Sequence, residues 1–179
     1  MASLVLKMSI SLDGFVASSD GSSGFEAAGR ASDSGSWVLE TVSNASAHLV
    51  GAATYARWAE FWPSAAGPFA APMNDIPKFV FSNSLTSAEW AETTIVSGDL
   101  ADAVTRLKQE HSGYLLAQGG TRFARSLVKA GLIDEYRLVV HPVVLGAGEP
   151  LFTTPLTIEP ISTIAFSGGG VAHVFTAHP

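Results

Sequence analysis

Cysteine is absent from the chain, which excludes disulfides and any thiolate metal site. Charge is scarce as well. There are 10 Lys and Arg against 16 Asp and Glu in 179 residues, a net charge of −6 and an isoelectric point near 5.2. A broad basic face for nucleic acid is therefore not expected, although single basic residues can still hold a small anion. The five histidines are scattered. No HExxH pair and no GxSxG elbow occurs, so no metal site and no serine-hydrolase chemistry is expected. No apolar run approaches the ~18 residues of a membrane span, and no repeat of roughly 20–50 residues is found. The opening "MASLVLKMSISLDGFVA" has no basic leader before a long apolar run, and Lys7 interrupts its apolar positions. It reads as a first strand and not as a signal peptide. A cytoplasmic location is the expectation.

What the chain does have is apolar bulk. Hydrophobic residues make up 47%, which suits one well-buried domain over 1–179 with some apolar surface left for a partner subunit. Over residues 3–11, Leu4, Leu6, Met8 and Ile10 form one phase of a strand and Val5, Lys7, Ser9 and Ser11 the other. Residues 12–29, rich in Gly, Ser and Asp, read as a long loop of the kind that serves as a lid or binding loop. A helix opened by Ser32 or Asp33 follows, then a short buried strand over 47–51 and a helix over 53–62 stopped by Pro63. Residues 65–77 are a Pro/Gly loop. Strands are predicted over 78–83, 93–98, 113–118 and 134–146. A helix capped by Asp99 spans 99–111 and another, closed by Gly131, spans 121–131. Strands over 156–166 and 171–178 make a hairpin around the glycines 168–170. This alternation predicts an α/β fold: a central, mostly parallel mixed sheet with helices on both faces and a C-terminal antiparallel hairpin at one edge. Ligands in such sheets sit at the carboxyl ends of the strands.

Three strand–helix junctions are candidate binding elements. In "YLLAQGGTRFARSLVKAGLIDEY" a buried strand ends on Gly119-Gly120, with Thr121 and Arg122 directly behind. The following helix offers free backbone N–H groups and a partial positive charge to a phosphate, and the missing side chains allow close approach. A tight turn without a ligand is the plainer reading. In "HLVGAATYARW" a strand ends on Gly51 and Thr54 can offer its hydroxyl and N–H; taken alone, the segment reads first as an ordinary strand–helix junction. In "KFVFSNSL" Ser82 and Asn83 leave another strand end and either meet a ribose or simply open a loop. Asp13 in "SLDG" fixes the turn leaving the first strand or, alternatively, takes part in catalysis. His141, inside a strand before Pro142, is read as structural.

Taken together, "SLDGFVA", "LVGAATYARW", "KFVFSNSL", "QGGTRFARSLVKAGLIDEY" and "HPVVLGAGEPLF" resemble, in this order and over nearly the whole chain, the dihydrofolate reductase-like fold. The resemblance is closest to the bacterial family related to the C-terminal reductase domain of the riboflavin-biosynthesis deaminase/reductase. It implies a three-layer fold, NADPH bound across the carboxyl edge of the sheet, a small-molecule substrate, and commonly a homodimer. It further implies that Val16 and Ala17 lie near the nicotinamide and that Gly51, Ala53 and Thr54 lie near the cofactor phosphates. Ser82 and Asn83 would face the adenosine ribose, and Gly119, Gly120, Thr121, Arg122 and Phe123 would wrap the pyrophosphate and nicotinamide ribose.

The sequence departs from that pattern at three places. The family's usual Gly-Arg reads Gly51-Ala52, so a contact to a 2′-phosphate falls to Arg57 or Arg122. Dihydrofolate reductases carry an acid on the first long helix; here Asp33 and Glu40 are only nearby. Their folate-anchoring arginine is replaced by Ile76-Pro77. The leading expectation is an NADPH-dependent reductase passing hydride to a C=N or C=O of a small, heterocyclic molecule. The alternatives are dihydrofolate reductase proper and a protein that binds NADP(H) without turnover. Lys7 is a candidate substrate-pocket residue or proton donor, the alternative being a surface lysine whose head reaches solvent.

Overall fold

In the computed structural model, described for residues 1–29 and 31–177, the elements in chain order are ten strands and five α-helices. They are β1 (Ser3–Ser11), β2 (Phe15–Ser18), α1 (Ser32–Ser43), β3 (Ala47–Gly51), α2 (Ala52–Phe61), α3 (Ala70–Asp75), β4 (Lys78–Phe81), β5 (Thr93–Val96) and α4 (Leu100–Glu110). Then follow β6 (Tyr114–Gln118), α5 (Thr121–Lys129), β7 (Glu135–His141), β8 (Gly148–Pro150), β9 (Ile158–Ala165) and β10 (Val171–Ala177). Eight strands form one sheet in the order β5-β4-β3-β6-β1-β7-β10-β9, and β2 pairs with β8 in a small ribbon. The six strands from β5 to β7 are mutually parallel; β10 runs antiparallel to both β7 and β9.

The two phases of β1 separate the layers. Leu4 and Leu6 join Leu49, Val104, Leu107, Ala124 and Leu127 in a core under α4 and α5. Val5 joins Val42, Val50, Tyr55, Met73 and Val80 in a second core under α1, α2 and α3. A strand covered on both faces this way reads as a nearly continuous apolar run, as β1, β3 and β6 do. The three-layer architecture is the one expected from the alternation of elements.

Several local expectations are corrected. Residues 12–29 hold β2 and a 3-10 turn over Gly24–Ala27. The strand partner of β2 lies more than 130 residues away in β8, where no local periodicity signals it. The helix α1 is opened by Ala31 rather than by Ser32 or Asp33: the Ser34 hydroxyl accepts from Ala31 N at 3.0 Å and donates to Ala31 O at 2.8 Å. The long strand stops at His141 because Pro142 has no N–H for the ladder. The strands over 78–83 and 93–98 end two residues early, at Phe81 and Val96. Position 178, predicted to end the last strand, lies outside the described residues.

The Pro/Gly loop contains α3, and a buried lysine accounts for it. Lys78 Nζ donates to the carbonyls of Met73, Asn74 and Ile76 at 3.1, 2.7 and 2.9 Å, closing the end of a helix too short to stand alone. Trp90 lies 4.5 Å from the ammonium and donates its indole N–H to Asn74. Burial pulls the Lys78 pKa from 10.5 down to about 8, so the ammonium is still charged at neutral pH.

Candidate active site

The connections of the sheet place a crevice at one spot. The link after β3 leads outward to β4, while the link after β6 crosses β1 to reach β7. The helices that follow, α2 and α5, therefore start side by side at the carboxyl edge but cover opposite faces. Such a switch point is where open α/β sheets bind ligands.

Glycines set how closely the two helix starts approach. A Cβ on Gly51 would sit 3.1 Å from Phe123 Cβ, and one on Gly120 would sit 2.5 Å from Thr54 Oγ1. Each junction thus makes room for the other. Gly119 and Gly120 both have positive φ, 70° and 78°. A Cβ on Gly119 would meet Trp58 at 3.3 Å. The paired glycines, expected to bare the backbone for a ligand, first of all accommodate α2 of the same chain.

The helix starts are open. At α4 the Asp99 carboxylate accepts from Ala101 N and Asp102 N, and at α1 Ser34 and Asp33 accept from Ala31 N and Ser34 N. At α2 and α5 the capping residues are Gly51 and Gly120, which supply no side-chain acceptor. Their first-turn N–H groups and helix dipoles converge on a cleft of about 440 Å3. Gly51, Ala52, Ala53, Thr54, Gly120, Thr121, Arg122 and Phe123 line it, and Arg57 and Arg122 bring two exposed cations to its rim.

A second cavity, of about 610 Å3, lies on the α1–α2 side of the sheet. Its floor is the Val5 phase of the central strands: Lys7 and Ser9 of β1, Gln118 of β6, and Val139 and His141 of β7. Trp58, Phe61, Trp62 and Phe69 form aromatic walls, α1 contributes Ser34, Gly35, Val38 and Val42, and Glu26 reaches in from the 3-10 turn. Gln118, at the end of β6, lines this cavity, and Gly120, two residues on, lines the cleft. Lys7 is thus on the cavity floor.

Other candidates are placed elsewhere. Asp13 accepts from the Ser11 hydroxyl at 2.7 Å and from Leu145 N and Gly146 N at 3.1 and 2.7 Å. The Ser11 hydrogen bond, with those of the two amides, holds its carboxyl below the usual range. An anionic clamp on the exit of β1 has no proton to give at neutral pH. Val16 and Ala17 are buried on β2 and line neither space. Ser82 Oγ accepts from Ser84 N and Leu85 N, and Asn83 Oδ1 from Gly98 N, so both side chains shape the turn behind Phe81, which itself lines the cleft. Asp33 faces away from the cavity and accepts from Ser167 N and Oγ at 2.8 and 3.1 Å, which lowers its pKa.

Sequence reasoning missed two parts of the site. The aromatic walls fall in segments whose periodicity signals only a short helix and a loop. His141, read as structural, also belongs to the lining of the cavity. Its Nδ1 lies 2.7 Å from the Ala28 carbonyl, while Nε2 is buried, has no partner among the described residues, and belongs to a side chain lining the cavity.

Residues 2–167 match the RibD C-terminal domain family. The chain belongs to that family. Two Bacillus subtilis (strain 168) relatives are both uncharacterized proteins. YwjB is 31% identical over 150 residues, covering 83% of this chain and 81% of its own length. YyaP is 24% identical over 180 residues, covering 96% and 93%. Among solved structures, a putative riboflavin biosynthesis protein from Shewanella sp. PV-4 superposes over 100% of both chains with a TM-score of 0.78 at 22% identity. The deaminase/reductase of Thermotoga maritima gives 0.70 at 17% identity, over 99% of this chain and 57% of the other. At those identities the superpositions establish the fold, which is that of RibD-like proteins. No helix among the described residues is long and apolar enough to cross a membrane.

Proposed function

We propose that this RibD C-terminal domain protein is an NADPH-dependent reductase acting on a C=N or C=O of a small heterocyclic molecule. One observation carries the reading. Two uncapped helix starts converge on a cleft at the switch point, flanked by Arg57 and Arg122, and the same sheet carries an aromatic cavity on its α1–α2 side. A dinucleotide fits this donor set. The N–H groups of α2 and α5 suit a pyrophosphate, with the Thr54 and Thr121 hydroxyls beside them, and Gly51, Ala53 and Phe123 shape the wall, with Gly119 packed behind it against Trp58. Either arginine answers a 2′-phosphate in place of the residue at Ala52. When bound, the cofactor supplies the hydride; the chain supplies placement, a dry site and charge.

Binding without turnover fits less well, because the second cavity holds titratable groups: Lys7, Glu26 and His141. Dihydrofolate fits less well too. The α1 positions that face the cavity are Ser34, Gly35, Val38 and Val42, none of them an acid, and Glu40 lines a separate depression beside Arg137.

NADPH at about 100 times its Kd should stabilise the fold by about 2.7 kcal/mol and raise the melting temperature accordingly. Arg57→Ala and Arg122→Ala should weaken NADPH more than NADH, by about tenfold for whichever arginine holds the extra phosphate. Melting curves unmoved by saturating NADPH and by saturating NADH would end the reductase reading.

We also propose a homodimer, formed through the edge strand β9. Its Ile161 and Ile164 are 57% and 39% exposed, on a strand that is exposed along nearly its whole length. Pro160 and a bulge opposite Val174/Phe175 blunt the strand for edge-to-edge pairing, so the contact should run through side chains. Sedimentation of wild type and Ile161→Lys checks this: the wild type should run as a dimer and the variant as a monomer. A monomeric wild type would contradict it.

A further inference from the structure

One wall of the large cavity recedes along α1. Gly35, Val38 and Val42 line the cavity and recur at helical spacing, so they share one face of the helix. That face points inward, since Val42 is 1% exposed and belongs to the same core as Met73. Side-chain bulk on it falls from valine to nothing toward the start of the helix. Gly35 donates an ordinary helical bond to the Ala31 carbonyl at 3.0 Å, and its φ is not positive. A Cβ there would have no atom within 4 Å, whereas one on Gly51 or Gly120 would meet the chain itself. Neither backbone geometry nor packing calls for glycine at this position, and alanine is the better helix former. What Gly35 provides is width in the cavity.

The rest of the lining indicates what that width admits. Trp58, Phe61, Trp62 and Phe69 offer flat apolar surface to the same cavity, and Phe61 is 60% exposed beside Trp62, at 4.9 Å between centroids. From Ser34 to Val42 the helix runs about 12 Å along the cavity. A single six-membered ring covers only part of that length; fused rings cover it. Charge is nearly absent. Among the described residues the acidic and basic lining groups besides His141 are Lys7 and Glu26, one of each sign. The start of α1 is no anion site either, because Ser34 and Asp33 already accept from Ala31 N and Ser34 N. The cleft at α2 and α5, with two uncapped helix starts and two arginines, has the reverse chemistry. A phosphate has a place there and none here.

We propose that this cavity takes a flat aromatic substrate of three fused rings without a phosphate group, and that Gly35 is the specificity-determining residue that gives it room. The proposal rests on the reductase reading in taking this cavity as the substrate site. Its tests read binding and stability, so they fail separately from it.

The probe pair is quinoline and acridine, which carry the same ring C=N on two and three fused rings. Equilibrium dialysis in mildly alkaline buffer, where both are neutral, is run with oxidised NADP, which cannot donate hydride, and again without it. Wild type should bind acridine about tenfold more tightly than quinoline, the worth of the extra apolar surface buried. A third ring raises affinity at any apolar surface, so the glycine variants decide. Gly35→Ala should melt about 2–4 °C higher than wild type and yet bind acridine about tenfold more weakly. Gly35→Val should melt near wild type and weaken acridine further. Quinoline should stay within about twofold of wild type in both variants. With NADP occupying the cleft, 1-naphthol should bind about tenfold more tightly than 1-naphthyl phosphate, whose charge finds no site in the cavity. The proposal is overturned by acridine affinity unchanged in both variants, by a lower melting temperature in Gly35→Ala, by tighter binding of the phosphate ester, or by failure of acridine to bind up to its solubility limit. NADPH binding without acridine binding overturns this proposal alone. Acridine binding that responds to Gly35 in a protein indifferent to NADPH supports the cavity assignment and removes the reductase reading.

Discussion

Gly120→Val should lower the melting temperature by roughly 10 °C and abolish cofactor binding at the cleft. Two costs combine. Gly120 has φ 78° and ψ 89°, where a β-branched residue is strained by about 1–3 kcal/mol. Its Cβ would also stand 2.5 Å from the Oγ1 of Thr54, whose side chain is buried on α2, and overpacking of that kind costs about 1–3 kcal/mol more. A loss of about 4 kcal/mol is large against a total stability of about 5–15 kcal/mol. For a chain of this size it corresponds to roughly 10 °C. Relief of the clash would push α2 and α5 apart and misplace both sets of helix N–H groups. A double-mutant cycle separates the two costs. Thr54→Ala removes the atom in the way, so Gly120→Ala should be less destabilising in that background than alone, by about 1 kcal/mol. A melting temperature within a degree or two of wild type in Gly120→Val would show that the helix starts do not interlock as described.

That result bears on how the sequence is to be read. The glycine pair marks the right place, because a buried strand that turns abruptly into an amphipathic helix is a local signal. The reason for the pair is not local. Its neighbours are Thr54 and Trp58, some 60 residues earlier in the chain, and only the folded sheet brings them there. The same division runs through the molecule. The phases of β1 and the Asp99 cap of α4 are legible because their meaning is carried by residues within one or two turns. The β2–β8 ribbon and the helix α3 are not, since one needs a partner strand across the chain and the other a lysine from the following strand. His141 is the sharpest case. Its tie to Ala28 spans 113 residues, and the cavity that it lines is assembled from α1, α2 and the sheet floor. Lys7 was legible as a pocket candidate for the opposite reason. A lone charge in the middle of a central strand is an anomaly visible in the sequence itself.

The stability of the protein should fall by about 3 kcal/mol between pH 6.5 and pH 4, and His48 should account for the fall. His48 lies on β3 with no exposed surface, and neither ring nitrogen makes a hydrogen bond of good geometry among the described residues. Burial is the main cause that lowers its pKa from 6.5 to about 4. The Pro72 carbonyl opposes the change, and the ammonium of Lys78, its register partner on β4, adds to it. The folded state therefore keeps His48 neutral at pH values where the unfolded chain already binds a proton. The sign follows: the contribution is complete above pH 6.5, declines as pH falls toward 4, and changes no further below that. A gap from 6.5 to about 4 is worth about 3 kcal/mol. The window is distinct from those of the other perturbed groups. Asp13, Asp20 and Asp33 have pKa values lowered from 3.8, so their contribution is lost only under more acidic conditions, and Lys78 titrates near pH 8 and above. Urea denaturation of wild type and His48→Leu at pH 7.5, 6.5, 5.5 and 4.5 measures the difference. The wild-type midpoint should drop steeply across the series, and that of His48→Leu, which carries nothing to protonate on β3, should be nearly flat. Parallel curves for the two proteins would mean that His48 finds a partner for its proton in the folded state, and that β3 is less tightly enclosed than its burial indicates.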